Sequence, residues 1–324
     1  MSDLADNGRV KKQTIPSPNP VAEYIIILFS TLLVVLELVS GAADEPLFRI
    51  GASIFCVLLA IGMRMATRRS DNKALHIIFI LYIFPVLFLL YPVALGISRS
   101  LHIPEFDPVL IQIDRFMYGG IDPTRWIFAH IHLLPVTVEF LEYTYFAHYL
   151  YALALAAELF LRKRDNQLLE FRAAMLYATL LSFLLNMIVP AIGPRFTLHE
   201  FADITKELPG IWIVDWIRSQ INTGEGITSV MTSTIAKMNV LRDAFPSGHT
   251  MLTVVTLIFA FRTKATVRWI LLPLGVSLII STILLRYHYV IDVIAGIAFA
   301  IFTVKSLPAV MRYTARFDHR LTRS

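Results

Sequence analysis

The stretch VAEYIIILFSTLLVVLELVS, Val21 to Ser40, contains only two charged residues, Glu23 and Glu37. An apolar run of about 18 or more residues reaches across the ~30 Å hydrocarbon core of a bilayer when it is helical. Seven further runs follow: Phe48 to Met65, Leu75 to Ile97, Val136 to Leu161, Ala173 to Pro190, Pro246 to Phe261, Trp269 to Leu285 and His288 to Val310. The run from Pro246 is short and has to begin in the interface. An outer-membrane barrel would instead need alternating segments of about ten residues, and that pattern is absent. Charged residues make up 16% of the chain, against about 25% in a soluble globular protein. The expected fold is an all-α polytopic membrane protein with about eight transmembrane helices.

Orientation follows from where the basic residues fall, because Lys and Arg are enriched in cytoplasmic segments. With the N-terminus inside, the cytoplasmic segments hold 19 of the 29 Lys and Arg residues. Both termini are thus expected in the cytoplasm, and the basic excess requires no nucleic-acid partner. Residues 1–20 are polar, carry Pro16, Pro18 and Pro20, and read as a disordered tail with no cleavable signal peptide. Residues 311–324 read as a basic cytoplasmic tail. The sole cysteine, Cys56, lies inside a span, which excludes an intramolecular disulfide.

Three polar clusters fall on the same, outer face in this topology. They are PAIGPRFTLHE (Pro190 to Glu200), RDAFPSGHT (Arg242 to Thr250) and RYHYVIDVIAG (Arg286 to Gly296). In the third, His288 and Asp292 stand four apart, on one helix face. A bare carboxylate in an apolar run costs about 2.5–3.5 kcal/mol on insertion scales, so Asp292 needs a partner, and His288 is the nearest candidate. A carboxylate on one ring nitrogen makes the other more basic, which prepares a base or a nucleophile; a buried pair that merely pins two helices is the plainer alternative. In the second cluster, Pro246 suits a first helical turn. The amides of Ser247, Gly248 and His249 would then be donors at a positive helix end, an anion site. In the first cluster, Arg195 brings a planar fork suited to phosphate; the plainer reading is an interfacial arginine. The coincidence of all three on one face favours a site.

The order Pro-Arg after a span, FPSGH before the next, and His-x-x-x-Asp opening the last resembles the type 2 phosphatidic acid phosphatase superfamily. The likeness covers the last six spans, about Leu75 to Val310. It implies a catalytic domain at 75–310, with two additional helices within 21–74. RYHYVIDV, GPR and DRFMYGGIDPTRW (Asp114 to Trp126) look more like the branch that contains the fungal inositol phosphorylceramide synthases and their bacterial relatives. The resemblance implies that His288 is a nucleophile that becomes phosphohistidine, that Asp292 orients it, and that His249 is the general acid and base. It also implies that Arg195, Ser247 and Gly248 bind phosphate, with no metal or other cofactor. Two positions depart from the phosphatase pattern. Ile188 stands where the first motif has lysine, and Thr282 where the third has arginine. Arg286 is the expected substitute.

Other polar residues have plainer readings. Glu139 and Glu142 lie near the outer end of the fourth span, where interfacial packing is favoured slightly over a head-group contact. His148 lies in the same span. His130 and His132 have the spacing of a metal pair but no further ligands nearby in sequence. Trp212 and Trp216 mark an amphipathic surface helix in the long loop, a lid or an anchor. Glu37 has no evident partner.

The expected function is hydrolysis of a phospholipid-type phosphoester through phosphohistidine, on the outer face of the membrane. The alternative is transfer of a phosphorylated head group to a lipid alcohol. A transporter is a distant alternative, because the ionisable groups gather at one face instead of lining a path. A serine hydrolase at Ser247 lacks the G-x-S-x-G elbow.

Overall fold

The computed structural model describes residues 19–40, 45–69, 72–228 and 231–321. Most of the polar N-terminal tail therefore lies outside the described residues. All regular elements among those residues are helical. In chain order they are α1 (Val21–Ser40), α2 (Pro46–Arg69), α3 (Lys73–Leu81), α4 (Ile83–Ser100), α5 (Asp107–Met117), α6 (Pro123–His130), α7 (Pro135–Phe146) and α8 (His148–Leu161). There follow α9 (Asp165–Ile188), α10 (Pro194–Thr197), α11 (Ile204–Glu207), α12 (Val214–Gly224), α13 (Ser233–Asn239), α14 (Gly248–Arg262), α15 (Arg268–Leu284) and α16 (Val290–Leu321).

Five stretches are long and apolar enough to cross a membrane: Val21–Ser40, Pro46–Arg68, Ile77–Ser100, Asp165–Ile188 and Val290–Arg320. A sixth is the pair α7 and α8, bent by 54°. The other two expected spans correspond to α14 and α15, apolar but only 15 and 17 residues long. The chain is thus an all-helical integral membrane protein.

The bend at Ala147 leaves main-chain groups that lipid cannot satisfy. Side chains answer them: the Tyr151 hydroxyl donates to the Thr144 carbonyl at 2.8 Å, and the His148 ring meets the Tyr145 carbonyl at 3.2 Å. Buried charges are paired in the same way. Glu23 accepts from Arg172 at 2.9 Å and from the Tyr82 hydroxyl at 2.8 Å, tying α1 to α9. Glu37, for which the sequence offered no partner, accepts from Arg49 of α2 at 3.1 Å.

Helix α14 packs against α9, α15 and α16. The approach to α16 depends on Gly296, since a Cβ there would lie 2.7 Å from the Ser247 carbonyl oxygen. The last helix continues past residue 310, where the apolar run ends, unbroken to Leu321, so most of the expected basic tail is helical. The sequence boundary marked only the end of the apolar run. Helical hydrogen bonds do not require lipid, and the polar turns are held by Asp318, which pairs with Arg64 at 2.9 Å and with Arg68. At ~1.5 Å per residue its 32 residues span roughly 48 Å. The Arg64–Arg68 end of α2 therefore lies with the end of α16 remote from His288.

Candidate active site

The three polar clusters meet at the start of α14 and α16, and main-chain bonds join them. The Ala244 amide, in the second cluster, donates to the Ala191 carbonyl of the first at 3.0 Å. The Ser247 amide donates to the Asp292 carbonyl of the third at 3.0 Å. Gly193 has φ +88° in the GPR turn, and a Cβ there would meet the Tyr287 carbonyl oxygen at 2.7 Å. Only glycine fits both the conformation and the approach.

Helix α14 begins two residues later than Pro246 implied, at Gly248. Ser247 is its N-cap, with its hydroxyl accepting from the Thr250 amide at 3.3 Å. The Ser247 amide is therefore not a donor to a ligand, because Asp292 holds it. Among the described residues the amides of Gly248 and His249 have no acceptor within the chain, so the helix-end donor pair is narrower than expected. The start of α16 is closed. Asp114 accepts the Val290 and Ile291 amides at 2.9 Å each, and Asp292 Oδ2 accepts the Tyr289 amide at 2.8 Å.

The expected His288–Asp292 pair is present as a longer contact, because the same carboxylate oxygen takes the Tyr289 amide. Nδ1 of His288 donates to the Ala244 carbonyl at 2.8 Å, whereas Asp292 Oδ2 is 3.6 Å away, beyond a good hydrogen bond. Asp292 is fully buried and its Oδ1 has no partner among the described residues. The main-chain carbonyl therefore fixes the tautomer, and the Nε2 lone pair of His288 is left available.

His249 faces this ring, with the two centroids 6.0 Å apart. It stacks on Tyr145 at 4.2 Å, and Tyr145 stacks on Tyr287 at 4.2 Å. Arg195 is buried with its guanidinium 4.9 Å from the Tyr287 ring centre. It donates to Asn222 Oδ1 at 3.1 Å and to Glu225, both from α12 and its end. Burial pushes the Glu225 carboxyl up to about 7, against the opposing pull of Arg195.

Arg286 is buried, and its Nη2 has no acceptor among the described residues. It pairs with Glu207 and lies 4.1 Å over the Phe128 ring. Thr282, at the other departure from the pattern, gives its carbonyl to the His288 amide at 2.9 Å.

Three carboxylates missed as site-builders hold the scaffold. Asp107 accepts the Ile192 and Gly193 amides at 3.0 and 2.9 Å and the Tyr289 hydroxyl at 2.8 Å. Burial raises its carboxyl above the usual range. Asp114 caps α16. Glu139 accepts the amides of Ile211, Trp212 and Ile213 at 2.8–3.1 Å, so it positions the approach to α12 and not a ligand. Sequence carried a partial signal for Asp114, as the first residue of DRFMYGGIDPTRW, and for Glu139, read as interfacial packing, but none for Asp107. Glu142 is buried between Arg218 and Tyr287. His130 stacks on Trp126 at 4.6 Å and bonds its carbonyl. Among the described residues no three His, Cys, Asp or Glu side chains converge as a metal site would require.

Residues 109–305, more than half of the chain, match the PAP2 superfamily, and the chain belongs to that superfamily. A PA-phosphatase related-family protein of Dictyostelium discoideum is 24% identical over 140 residues. The match covers 43% of this chain and 23% of that protein, so the chain spans less than a quarter of the relative's length. No solved structure matches.

Proposed function

We propose that the chain hydrolyses a lipid phosphoester through a phosphohistidine at His288. The observation that carries this reading is the bond from His288 Nδ1 to the Ala244 carbonyl, which leaves Nε2 as the nucleophile beside His249. In the first step Nε2 attacks phosphorus and the bond to the lipid alcohol breaks. His249 gives its proton to the departing oxygen. In the second step His249 takes a proton from water, the water oxygen attacks phosphorus, and the N–P bond breaks to release phosphate. Arg195 and the Gly248 and His249 amides stabilise the charge on the equatorial oxygens. Asp292 offsets the positive charge that develops on the His288 ring. Ser247 acts through the turn it caps.

A second reading, transfer to a lipid alcohol in the manner of the synthase branch, is favoured by α12. Trp216 of α12 and Trp212 just before it are exposed at 56% and 85%, as suits a segment that faces bilayer and shields the site from water. Hydrolysis is preferred because water needs no acceptor site. Product partition decides between them. Labelled phosphatidic acid is given with rising diacylglycerol or ceramide, and soluble phosphate is compared with new phospholipid. Release of phosphate supports hydrolysis. Lipid product without any phosphate supports transfer.

We assign the site to the outer face and both termini to the cytoplasm, a reading supported by the distribution of basic residues and by the remote position of the Arg64–Asp318 contact.

A further inference from the structure

Of the arginines in the three motifs, Arg195 is the one whose guanidinium lies over Tyr287, the residue before His288. Ile188 is apolar and 53% exposed, Thr282 is buried and uncharged, and Arg286 gives Nη1 to Glu207 while its Nη2 alone lacks an acceptor among the described residues. A phosphomonoester carries up to two negative charges near neutral pH, so one arginine leaves charge uncompensated.

Arg218 of α12 is 4% exposed. Its Nε donates to Glu142 Oε1 at 2.7 Å. Its two terminal nitrogens, Nη1 and Nη2, are buried and have no acceptor among the described residues. Donors of this kind are costly to bury unless something accepts from them. Residues 218, 222 and 225 lie four and three apart, so they share one face at the C-terminal part of α12. Asn222 and Glu225 are the residues that hold Arg195. The link through Glu142 leads to the same place. Its other oxygen accepts from the Tyr287 hydroxyl at 3.0 Å, and Tyr287 lies beneath the Arg195 guanidinium and precedes His288 in sequence.

We propose that Arg218 is a phosphoryl-binding residue, delivered by the loop helix and replacing the cations absent at positions 188 and 282. The geometry of its fork suits two oxygens of one dianionic phosphoryl group. This inference rests on the reading of the site as phosphoryl-binding, but not on phosphohistidine chemistry. The loop helix thereby becomes part of the site, and its Trp-bearing side links phosphate binding to the membrane surface.

The test uses the full chain in detergent micelles, with thermal stabilisation by orthophosphate as one arm and KM for phosphatidic acid in mixed micelles as the other. Arg218→Lys keeps the charge beside Glu142 but loses the fork. Its half-saturating orthophosphate concentration and its KM are expected to rise about tenfold, the loss typical of a charged hydrogen bond. A rise in the lipid arm alone also supports the role and identifies the lipid head group as the source of the phosphoryl. No change in either arm overturns it and leaves Arg218 as a brace for Glu142. If Arg218→Lys does not fold, the double variant Arg218→Gln with Glu142→Gln removes both charges together, and the same expectations apply. Arg218-dependent orthophosphate binding without any labelled histidine in the wild type would sink the phosphohistidine reading and leave this inference standing.

Discussion

Nδ1 of His288 donates to the carbonyl of Ala244 at 2.8 Å, so the main chain just before the FPSGH segment sets the tautomer of the histidine that precedes the last helix. Where a carboxylate alone holds the imidazole, its replacement by amide costs about 10⁴-fold in turnover through the wrong tautomer. Here Asp292 stands at 3.6 Å, and in the proposed mechanism it supplies charge while the Ala244 carbonyl makes the bond. Asp292→Asn is therefore expected to lower kcat by roughly 100-fold with KM little changed, within the range for one acid–base contribution. Steady-state kinetics check this. A 10⁴-fold loss would mean that the carboxylate orients the ring after all.

Asp114 caps α16 from another helix. Asp114→Asn replaces one acceptor oxygen by an NH₂ group that faces an amide donor. Loss of a cap costs about 0.5–2 kcal/mol, so a lower unfolding temperature in detergent is expected. Turnover should fall as well, because the cap fixes the backbone next to His288. Unchanged values for both would show that the cap is dispensable.

Glu225 gives a pH signature. Burial raises its carboxyl from 4.5 to about 7. The native state then binds this proton more tightly than the unfolded chain does. Its contribution to stability is full below about pH 4.5 and is lost as pH rises through about 7. Glu225→Gln cannot lose it. The melting temperature of the variant minus that of the wild type is expected to grow between pH 5 and pH 8.5. A pH-independent difference would contradict the assignment.

Orientation is checked with single cysteines at Thr197 and Arg316 in a background where Cys56 is replaced. An impermeant thiol reagent on intact cells is expected to label position 197 and spare 316. The reverse pattern inverts the topology.

The helices were legible because lipid demands long apolar runs, and the three motifs because their residue types are unusual at a membrane edge. The bend at Ala147 was not, since the run from Val136 to Leu161 is continuous in hydropathy and the break is sustained by Tyr151 and His148. Sequence proximity showed only part of the contacts. Asp292 is one turn from His288, yet its carboxylate is spent on the Tyr289 amide, while Ala244 reaches the ring from 44 residues away. Arg286 is two residues from His288, but its φ of +67° accompanies a course toward Glu207. Asp107, Asp114 and Arg218 act across long separations, and a carboxylate that caps a distant helix leaves no local pattern.

The most direct measurement is the covalent intermediate itself. Purified protein is mixed with ³²P-labelled phosphatidic acid, quenched in alkali and digested, and the labelled peptide is sequenced. Acid-labile, alkali-stable label on His288 is expected, with none on the His288→Ala variant and turnover of that variant abolished. His288→Ala that retains near wild-type turnover, or label confined to another residue, would contradict the mechanism.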